Sequence, residues 1–334
     1  MSETRSFSRK IVFAAVLAGV LGTTAAGILA SRPSYDSLKP GAPLPPVTKS
    51  PNVRPGNGER LVRFSEGRTK IAFLYIHGFG ASRAEGEFVL EKMTKRYRAN
   101  TLYVRLPGHG TTPEDQARAG YRDYLAAAER AILRMEKLGE KVVVFGTSMG
   151  GLLTTHIASR YPDRITAVVL ASPFYDYAAA SSIVLKSPGG LSLIKLLRGE
   201  KRDRELKRND PEDPRVAGFE KYWYVNQYYQ ALRGLEDLRD FTARSAVYKR
   251  VRAPVLMFYY YRDEDHQDKA ASVPAMLDAF SRFGAGGKRH PLSRPVAVAD
   301  GNHILFSKWI RGVDHAFIEK ETVLFLDQVI AAGK

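Results

Sequence analysis

The chain contains no cysteine among its 334 residues. Disulfide bonds, a thiol nucleophile and metal sites with cysteine ligands are therefore excluded. Internal repeats, His-x-x-x-His spacing and paired-carboxylate metal patterns are also missing, so we expect neither a metal nor another cofactor. The hydrophobic fraction is 44%, which is enough to bury the core of one large α/β domain with an insertion, or of two domains.

Residues 1–30 contain one acidic side chain, Glu3, and residues 11–30 contain no charged side chain at all. The basic residues Arg5, Arg9 and Lys10 precede this uncharged segment. Basic residues before an apolar segment are typical of a signal peptide, and twenty helical residues at about 1.5 Å each would also just span a bilayer. We therefore expect residues 1–30 to be a signal peptide or a transmembrane anchor, and the protein to be exported, either periplasmic or secreted after cleavage or held at the membrane. Proline and glycine then dominate residues 31–59, which predicts an extended linker.

Negative charge is scarce: the chain has 51 lysines and arginines but only 35 acidic residues, so its formal net charge is +16. A basic surface favours anionic partners, among them an anionic membrane surface, although a general solvating role explains the charge equally well. No zinc finger, helix-turn-helix or aromatic RNA-binding pattern accompanies the charge, so we expect no nucleic-acid partner.

An apolar strand runs directly into a Gly-x-Ser-x-Gly pattern within residues 141–151. Such a turn between strand and helix lifts the serine above the sheet edge, and only small neighbours fit, as Gly146 and Gly150 are. Ser148 is therefore predicted to be a covalent nucleophile. The backbone N–H of Met149, at the start of the next helix, can face a developing oxyanion.

Apolar runs alternate with segments of helical spacing from residue 70 to residue 171, which predicts a doubly wound, mostly parallel sheet. The alternation stops at Ala171 and resumes near Pro254. We therefore expect an α/β core of residues 60–172 and 251–334, with residues 173–250 inserted as a helical cap or lid. Predicted elements of the core lie at residues 70–77, 87–97, 101–106, 121–138, 141–147, 150–161, 165–170, 254–260, 270–283, 295–299 and 319–332.

This order of elements resembles that of an α/β-hydrolase, in which the catalytic serine, acid and histidine follow one another along the chain. The histidine belongs after the last strand, where His303 lies, and His315 is the one rival. The acid belongs in the loop after the strand that ends at Tyr260, where Asp263, Asp265 and Asp268 compete.

Several motifs together make the resemblance more specific. The chain is similar to the carboxylesterase and monoacylglycerol-lipase group over residues 68–332, through His77-Gly-Phe-Gly80, Gly108-His-Gly-Thr-Thr-Pro-Glu114, Gly146-Thr-Ser-Met-Gly-Gly151, Arg262-Asp-Glu264 and Asn302-His-Ile304. The resemblance implies that Asp263 is the acid. It also implies that the backbone N–H groups of Phe79 and Met149 form the oxyanion hole.

The expected activity is that of a serine hydrolase acting on carboxylic esters, mainly single-acyl lipids such as monoacylglycerols or lysophospholipids. A peptidase of the proline-iminopeptidase type and a thioesterase are alternatives, and a binding protein that keeps the fold without cleaving anything is a third. Because the cap must cover the strand edge, its apolar residues are candidates for substrate binding. They include Leu193, Leu197 and Trp223.

Overall fold

The computed structural model describes residues 52–179, 182–187, 189–203 and 213–332. A seven-stranded sheet in the order β1-β3-β2-β4-β5-β8-β9 forms its centre, and all neighbouring strands are parallel except β1, which is antiparallel to β3. The predicted doubly wound, mostly parallel sheet is thereby confirmed. The strands are β1 Arg60–Val62, β2 Thr69–Ile76, β3 Asn100–Tyr103, β4 Gly139–Thr147, β5 Ala167–Ala171, β6 Lys201–Asp203, β7 Asn226–Tyr228, β8 Val255–Tyr260 and β9 Arg294–Val298.

Helices cover both faces of the sheet, and this is why β2 has a continuous apolar segment from Ile71 to Ile76 and β4 has one from Val142 to Phe145. The helices are α1 Ala84–Tyr97, α2 Pro113–Arg118, α3 Tyr121–Met135, α4 Met149–Arg160, α5 Ile183–Lys186, α6 Gly190–Arg198, α7 Pro214–Tyr222, α8 Ala231–Thr242, α9 Ser245–Tyr248, α10 Val273–Ser281 and α11 His315–Ala332. On one face of the sheet α1 and α11 pack over Phe73 and Phe145, while α3, α4 and α10 cover the other face and α8 packs against α3 and α4.

Helix α3 illustrates how local sequence sets an element. The Asp123 carboxylate accepts the Gly120 N–H at 2.9 Å, which satisfies one of the free amides at the start of the helix. The apolar residues at intervals of three and four, among them Tyr124, Ile132 and Met135, are buried against the sheet. The helix ends at Met135, three residues before the predicted end.

The chain between β5 and β8 holds α5 to α9 and a separate two-stranded antiparallel sheet of β6 and β7. The sequence predicted no strand here, because Lys201–Asp203 is charged and exposed and lacks the apolar alternation of a core strand. Tyr224 ties this region to the loop after β3. Its hydroxyl accepts the Thr111 N–H at 2.8 Å and donates to the Gly108 carbonyl at 2.9 Å.

Residues 1–51, which include the predicted signal peptide or anchor and most of the linker, lie outside the described residues. In the part of the chain that is described, no helix combines the length and the apolar character needed to cross a membrane.

Candidate active site

Ser148 occupies the turn between β4 and α4 in a backbone conformation that L-residues rarely adopt, with φ of 53° and ψ of −116°. Two glycines permit this turn. A Cβ on Gly150 would lie 2.0 Å from the Ile76 carbonyl oxygen, and a Cβ on Gly146 would lie 2.5 Å from the Gly150 oxygen. No larger residue fits at either position. The Gly-x-Ser-x-Gly pattern is therefore required by the strained turn that holds Ser148.

His303 lies between the serine and a buried carboxylate. Its Nε2 is 2.9 Å from Ser148 Oγ, and its Nδ1 is 2.7 Å from Asp268 Oδ2. Since an ionised carboxylate can only accept, Nδ1 carries the proton and Nε2 is free to accept the serine proton. The structure thus brings together the predicted serine and histidine with an aspartate that was one of three candidates.

Asp268 is 2% exposed and accepts hydrogen bonds from the backbone N–H groups of Ala270 at 2.9 Å and Ala271 at 3.0 Å. Burial raises the pKa of the Asp268 carboxyl, but His303 and these amides together lower the pKa by more than burial raises it. The pKa of Asp268 therefore lies below its usual value. The carboxylate therefore stays ionised at neutral pH and can stabilise a protonated His303.

The assignment of the acid to Asp263 requires a correction, because the structure places Asp263 away from His303. Its Oδ1 accepts the backbone N–H groups of Asp265 and His266 and lies 2.8 Å from His266 Nδ1, on an exposed loop. The loop leaves β8 and returns, since Tyr261 pairs with Gln267 and the Asp268 N–H donates to the Tyr260 carbonyl at 3.1 Å. Eight residues after the strand, Asp268 is thus back at the strand end. Counting residues from the strand cannot reveal such an excursion.

The His77-Gly-Phe-Gly80 loop lies beside the nucleophile, because a Cβ on Gly78 would be 3.2 Å from Ser148 Cβ. The buried Glu85 holds this loop: its Oε2 accepts the Gly78 N–H at 2.6 Å and the Tyr75 hydroxyl at 2.9 Å. Phe79 follows Gly78 and lines the same cavity as Ser148, and Met149 is the first residue of α4. Their N–H groups are the two amides that the resemblance implies for an oxyanion hole.

His77 and His109 are fully buried and face each other with ring centroids 5.1 Å apart. His77 Nδ1 donates to the Gly78 carbonyl and its Nε2 accepts the Leu106 N–H, so the ring is neutral and fixes the loop. Burial lowers the pKa of His77 well below its usual value, and burial lowers the pKa of His109 to about 4. Neither ring contacts Ser148 Oγ in the manner of a base.

The other histidines lie apart from Ser148. His315 begins α11 and packs edge-to-face against Phe88 at a centroid distance of 4.9 Å, so it does not replace His303. His156 lies 2.7 Å from Glu129 inside the contact between α3 and α4. Within the described residues no group of three or more metal-binding side chains is present.

A cavity of about 250 Å³ opens onto Ser148 and His303. Of the three cap residues proposed for substrate binding, Trp223 lines it, stacked on Phe219 at 4.7 Å. Neither Leu193 nor Leu197 lines the cavity, and Leu197 is 73% exposed, so substrate binding by these leucines stays a prediction. They lie on α6, which turns part of its apolar face outward, an orientation that helical periodicity cannot determine.

Three charged residues of the cavity wall were not predicted from the sequence, namely Glu85, Arg202 and Lys269. Lys269 follows Asp268 directly and would have been found with the correct acid. Glu85 lies in the first turn of a helix together with Glu87, where acidic residues are common, so its sequence position carries no signal for burial.

The chain matches the model of the alpha/beta hydrolase family over residues 73–314 and belongs to that family. Its homologues include esterases and lipases, which supports the interpretation of this chain as a hydrolase. It is 28% identical over 196 residues to a thermostable monoacylglycerol lipase of Bacillus sp. (strain H-257), covering 59% of this chain and 71% of the lipase. It is 25% identical over 111 residues to a pimeloyl-[acyl-carrier protein] methyl ester esterase of Hamiltonella defensa, covering 33% of this chain and 39% of the esterase.

Solved structures show the same fold. A structure from the work on LipS and LipT, two metagenome-derived lipolytic enzymes, superposes with a TM-score of 0.61 at 18% identity, over 83% of this chain and 99% of that one. A monoacylglycerol lipase of Paleococcus ferrophilus superposes with a TM-score of 0.57 at 16% identity, over 81% and 97% of the two chains. At this level of identity the similarity concerns the fold alone.

Proposed function

We propose that this protein is a serine carboxylic ester hydrolase that acts through an acyl-enzyme on Ser148, with His303 as base and Asp268 as the acid that orients it. The observation that carries the proposal is the hydrogen-bonded series Ser148 Oγ, His303 Nε2, His303 Nδ1 and Asp268 Oδ2, with distances of 2.9 and 2.7 Å. Nucleophile, base and orienting acid in contact are the arrangement that activates a serine hydroxyl.

The chemistry follows from the positions of these groups. Ser148 Oγ attacks the ester carbonyl carbon while its proton passes to His303 Nε2, and the Phe79 and Met149 N–H groups stabilise the oxyanion. The tetrahedral intermediate collapses, the bond to the alcohol breaks, and the alcohol leaves with the proton from Nε2. Water then attacks the acyl-enzyme by the same route, which releases the carboxylic acid and restores Ser148.

A single-acyl ester is the substrate class that we favour. Trp223, Phe174, Leu232 and Leu235 give the cavity an apolar wall suited to a hydrocarbon chain. The similarity to a monoacylglycerol lipase supports this choice, and the similarity to pimeloyl methyl ester esterases supports a carboxylic ester in general. A thioesterase and a peptidase would use the same series of residues, so they remain the alternatives.

Two measurements test the proposal together. A fluorophosphonate probe should label the wild-type protein and leave Ser148→Ala unlabelled, since the probe reports an activated serine. A panel of matched ester, thioester and amide substrates should show the highest kcat/KM for the esters. An unlabelled wild-type protein would favour a non-catalytic binding protein, and a higher kcat/KM for thioesters or amides would replace the esterase with that alternative.

We further propose that residues 173–250 form a cap that docks on an anionic membrane surface. Three aliphatic side chains on its packed helices α5 and α6 face solvent: Ile183 is 64%, Leu196 82% and Leu197 73% exposed. The basic side chain of Arg198 follows them directly, and the net charge of +16 is complementary to anionic lipid headgroups.

Vesicle sedimentation tests this docking with protein that lacks residues 1–30. The protein should bind vesicles that contain phosphatidylserine more strongly than phosphatidylcholine vesicles, and Leu196→Ser with Leu197→Ser should weaken the binding severalfold. Leu324→Ser, on α11 and 45% exposed, is the matched control and should bind normally. Equal binding by the cap variant and the control would contradict the docking site.

The location of the protein is also a proposal, resting on the basic and apolar N-terminal segment of residues 1–30. Fractionation of cells that express the full chain should place it outside the cytoplasm. N-terminal sequencing then distinguishes a cleaved signal peptide from a retained anchor, and full-length protein in the cytoplasmic fraction would contradict export.

A further inference from the structure

Three buried polar side chains, which we call the Tyr75 network, connect the two segments on either side of Ser148. The Thr147 hydroxyl oxygen lies 3.1 Å from the Tyr75 hydroxyl oxygen, which donates to Glu85 Oε2 at 2.9 Å. The same Glu85 oxygen accepts the Gly78 N–H at 2.6 Å. Tyr75, Glu85 and Thr147 are each buried. The Tyr75 network therefore joins the residue before Ser148 to the loop that follows β2.

The hydrogen bonds of the Tyr75 network run in one direction. A tyrosine hydroxyl has a single proton, and Tyr75 donates it to Glu85, so the Thr147 hydroxyl is the donor to the Tyr75 oxygen. Burial, and then the neighbouring Glu85, hold the pKa of Tyr75 well above its usual value, so the hydroxyl keeps its proton. Hydrogen bonds that share one direction polarise and strengthen one another in a buried site.

Two glycines bring the Tyr75 network close to the nucleophile. A Cβ on Gly78 would lie 3.1 Å from Glu85 Oε1 and 3.2 Å from Ser148 Cβ, so Gly78 separates the carboxylate from the serine by one residue's thickness. A Cβ on Gly86 would lie 2.2 Å from Tyr75 Cζ, so the tyrosine ring packs directly on the backbone of α1. Glycine is unfavourable inside a helix, and at Gly86 it allows this contact.

The two amides assigned to the oxyanion hole are each fixed within their own segment. The Gly78 carbonyl shares a peptide group with the Phe79 N–H, and it accepts a hydrogen bond from His77 Nδ1 at 2.9 Å. The Ser148 carbonyl shares a peptide group with the Met149 N–H, and it accepts backbone N–H groups at 2.9 and 3.1 Å. These bonds set the direction of each peptide group and leave the separation of the two segments to other contacts.

The Tyr75 network supplies such a contact beyond the end of the sheet. Strands β2 and β4 pair as far as Ile76 and Gly146, one residue before Thr147. Past this point the Tyr75 network continues the connection between the two strands through side chains. The distance between the segments that carry the two amides therefore depends on the Tyr75 network.

We propose that Tyr75, Glu85 and Thr147 are positioning residues that set the separation of the Phe79 and Met149 amides, and so the strength of the oxyanion hole. The inference rests on the proposed ester hydrolysis and adds to it three residues that act through these amides. Donors displaced from their best positions stabilise the oxyanion less, while the neutral ester still binds. Loss of the Tyr75 network should therefore lower kcat and leave KM unchanged.

Variants that remove one hydroxyl and keep the side-chain shape test the inference. Tyr75→Phe and Thr147→Val should each lower kcat for p-nitrophenyl butyrate about tenfold, with KM within about twofold of wild type. Thr147→Ser keeps the hydroxyl and should retain kcat within about threefold. The double variant Tyr75→Phe with Thr147→Val should be scarcely slower than Tyr75→Phe alone, because the threonine acts through the tyrosine.

Inhibition by trifluoromethyl propyl ketone separates a positioning role from a contribution to stability alone. Ser148 Oγ adds to the ketone carbonyl carbon and the proton passes to His303, which leaves an oxyanion at the position that it occupies during hydrolysis. The Ki of the ketone should rise in Tyr75→Phe and Thr147→Val by about the factor by which kcat/KM falls, roughly tenfold. A residue that only stabilised the fold would lower the melting temperature and leave this Ki unchanged.

Tyr103→Phe is the matched control. Tyr103 lies opposite Tyr75 on the neighbouring strand β3, is fully buried, and has its ring centroid 6.1 Å from that of Tyr75. The variant removes a tyrosine hydroxyl from the same layer of the core and should keep kcat and the ketone Ki within about twofold of wild type. If Tyr75→Phe does not fold, Thr147→Val and its rescue by Thr147→Ser decide the question.

Three outcomes would overturn the inference alone and leave the proposed function intact. The first is a kcat within about twofold of wild type in both Tyr75→Phe and Thr147→Val. The second is a lower kcat with an unchanged ketone Ki, which would place the effect outside the oxyanion hole. The third is an equal loss in Tyr103→Phe, which would assign it to the core in general. A wild-type protein that neither cleaves the ester nor reacts with a fluorophosphonate would overturn the proposed function and this inference with it.

Discussion

The two sides of the cavity differ in how their residues are fixed. On the sheet side, Ser148 follows β4, Asp268 follows β8 and His303 follows β9, and backbone hydrogen bonds hold Ser148 and Asp268. On the cap side, Trp223 and Arg202 come from short elements that pack over the sheet edge, and nearby leucines of α6 face solvent. Under the proposed function, the residues of the sheet edge carry out the reaction, and the cap determines which substrates reach them.

The largest effect should come from removing the groups that react. Ser148→Ala and His303→Ala should each reduce ester hydrolysis by about 10⁴-fold or more, because nucleophile and base act as a unit. Steady-state rates with p-nitrophenyl butyrate measure this. Activity within tenfold of wild type in either variant would show that the sheet edge does not hold the chemistry.

A second prediction separates the two aspartates of the acid loop. Asp268→Asn should lower kcat by about 10³- to 10⁴-fold, because an amide no longer stabilises the protonated His303 or fixes its tautomer. Asp263→Asn is the matched control: it lies on the exposed loop and should stay within about threefold. The reverse ranking would return the catalytic acid to Asp263.

Glu85 should matter less, since it positions the loop rather than reacting. In Glu85→Gln the Gly78 N–H loses a charged acceptor, and we expect kcat to fall about 10- to 100-fold with little change in KM, as expected for weakened oxyanion stabilisation. Glu87→Gln, half-buried on the same helix and ion-paired with Arg60 rather than bonded to the Gly78 loop, is the control. A change confined to KM would assign Glu85 to substrate binding.

Acid should destabilise the sheet side through its buried neutral histidines. The pKa of His109 is about 4 in the folded protein against 6.5 unfolded, so the unfolded state binds more protons below pH 6.5. His109 therefore does not lower the free energy of unfolding above pH 6.5. As the pH falls from 6.5 towards 4, the free energy of unfolding decreases by up to about 3 kcal/mol. Urea unfolding at pH 7, 6, 5 and 4.5 measures this, and a free energy of unfolding that stays constant across this range would contradict it.

The smallest effect concerns the outward leucines of the cap. Because Leu193 and Leu197 do not line the cavity, Leu197→Ser should leave the preference for acyl chain length, measured without membranes, within about twofold of wild type. Trp223→Ala, which opens the cavity wall, should shift that preference. A changed chain-length profile in Leu197→Ser would mean that α6 closes over the substrate.

The parts of this molecule that the sequence predicts are those fixed by local rules. The turn at Ser148 requires glycine at fixed positions, and the core strands are apolar because both of their faces are covered. The position of Asp268 beside His303 depends on a loop that leaves β8 and returns to its end, and counting residues from the strand does not predict such a loop. Arg202 and Glu85 were missed because their burial is decided by distant segments of the chain.

The most direct test of the central claim is to observe the acyl-enzyme. Rapid quenching of the protein with p-nitrophenyl butyrate, followed by peptide mass spectrometry, should show one butyryl group on the peptide that contains Ser148. Asp268→Asn should form this species far more slowly. A protein that hydrolyses the ester with no acyl group on Ser148, or with the group on another residue, would contradict the account.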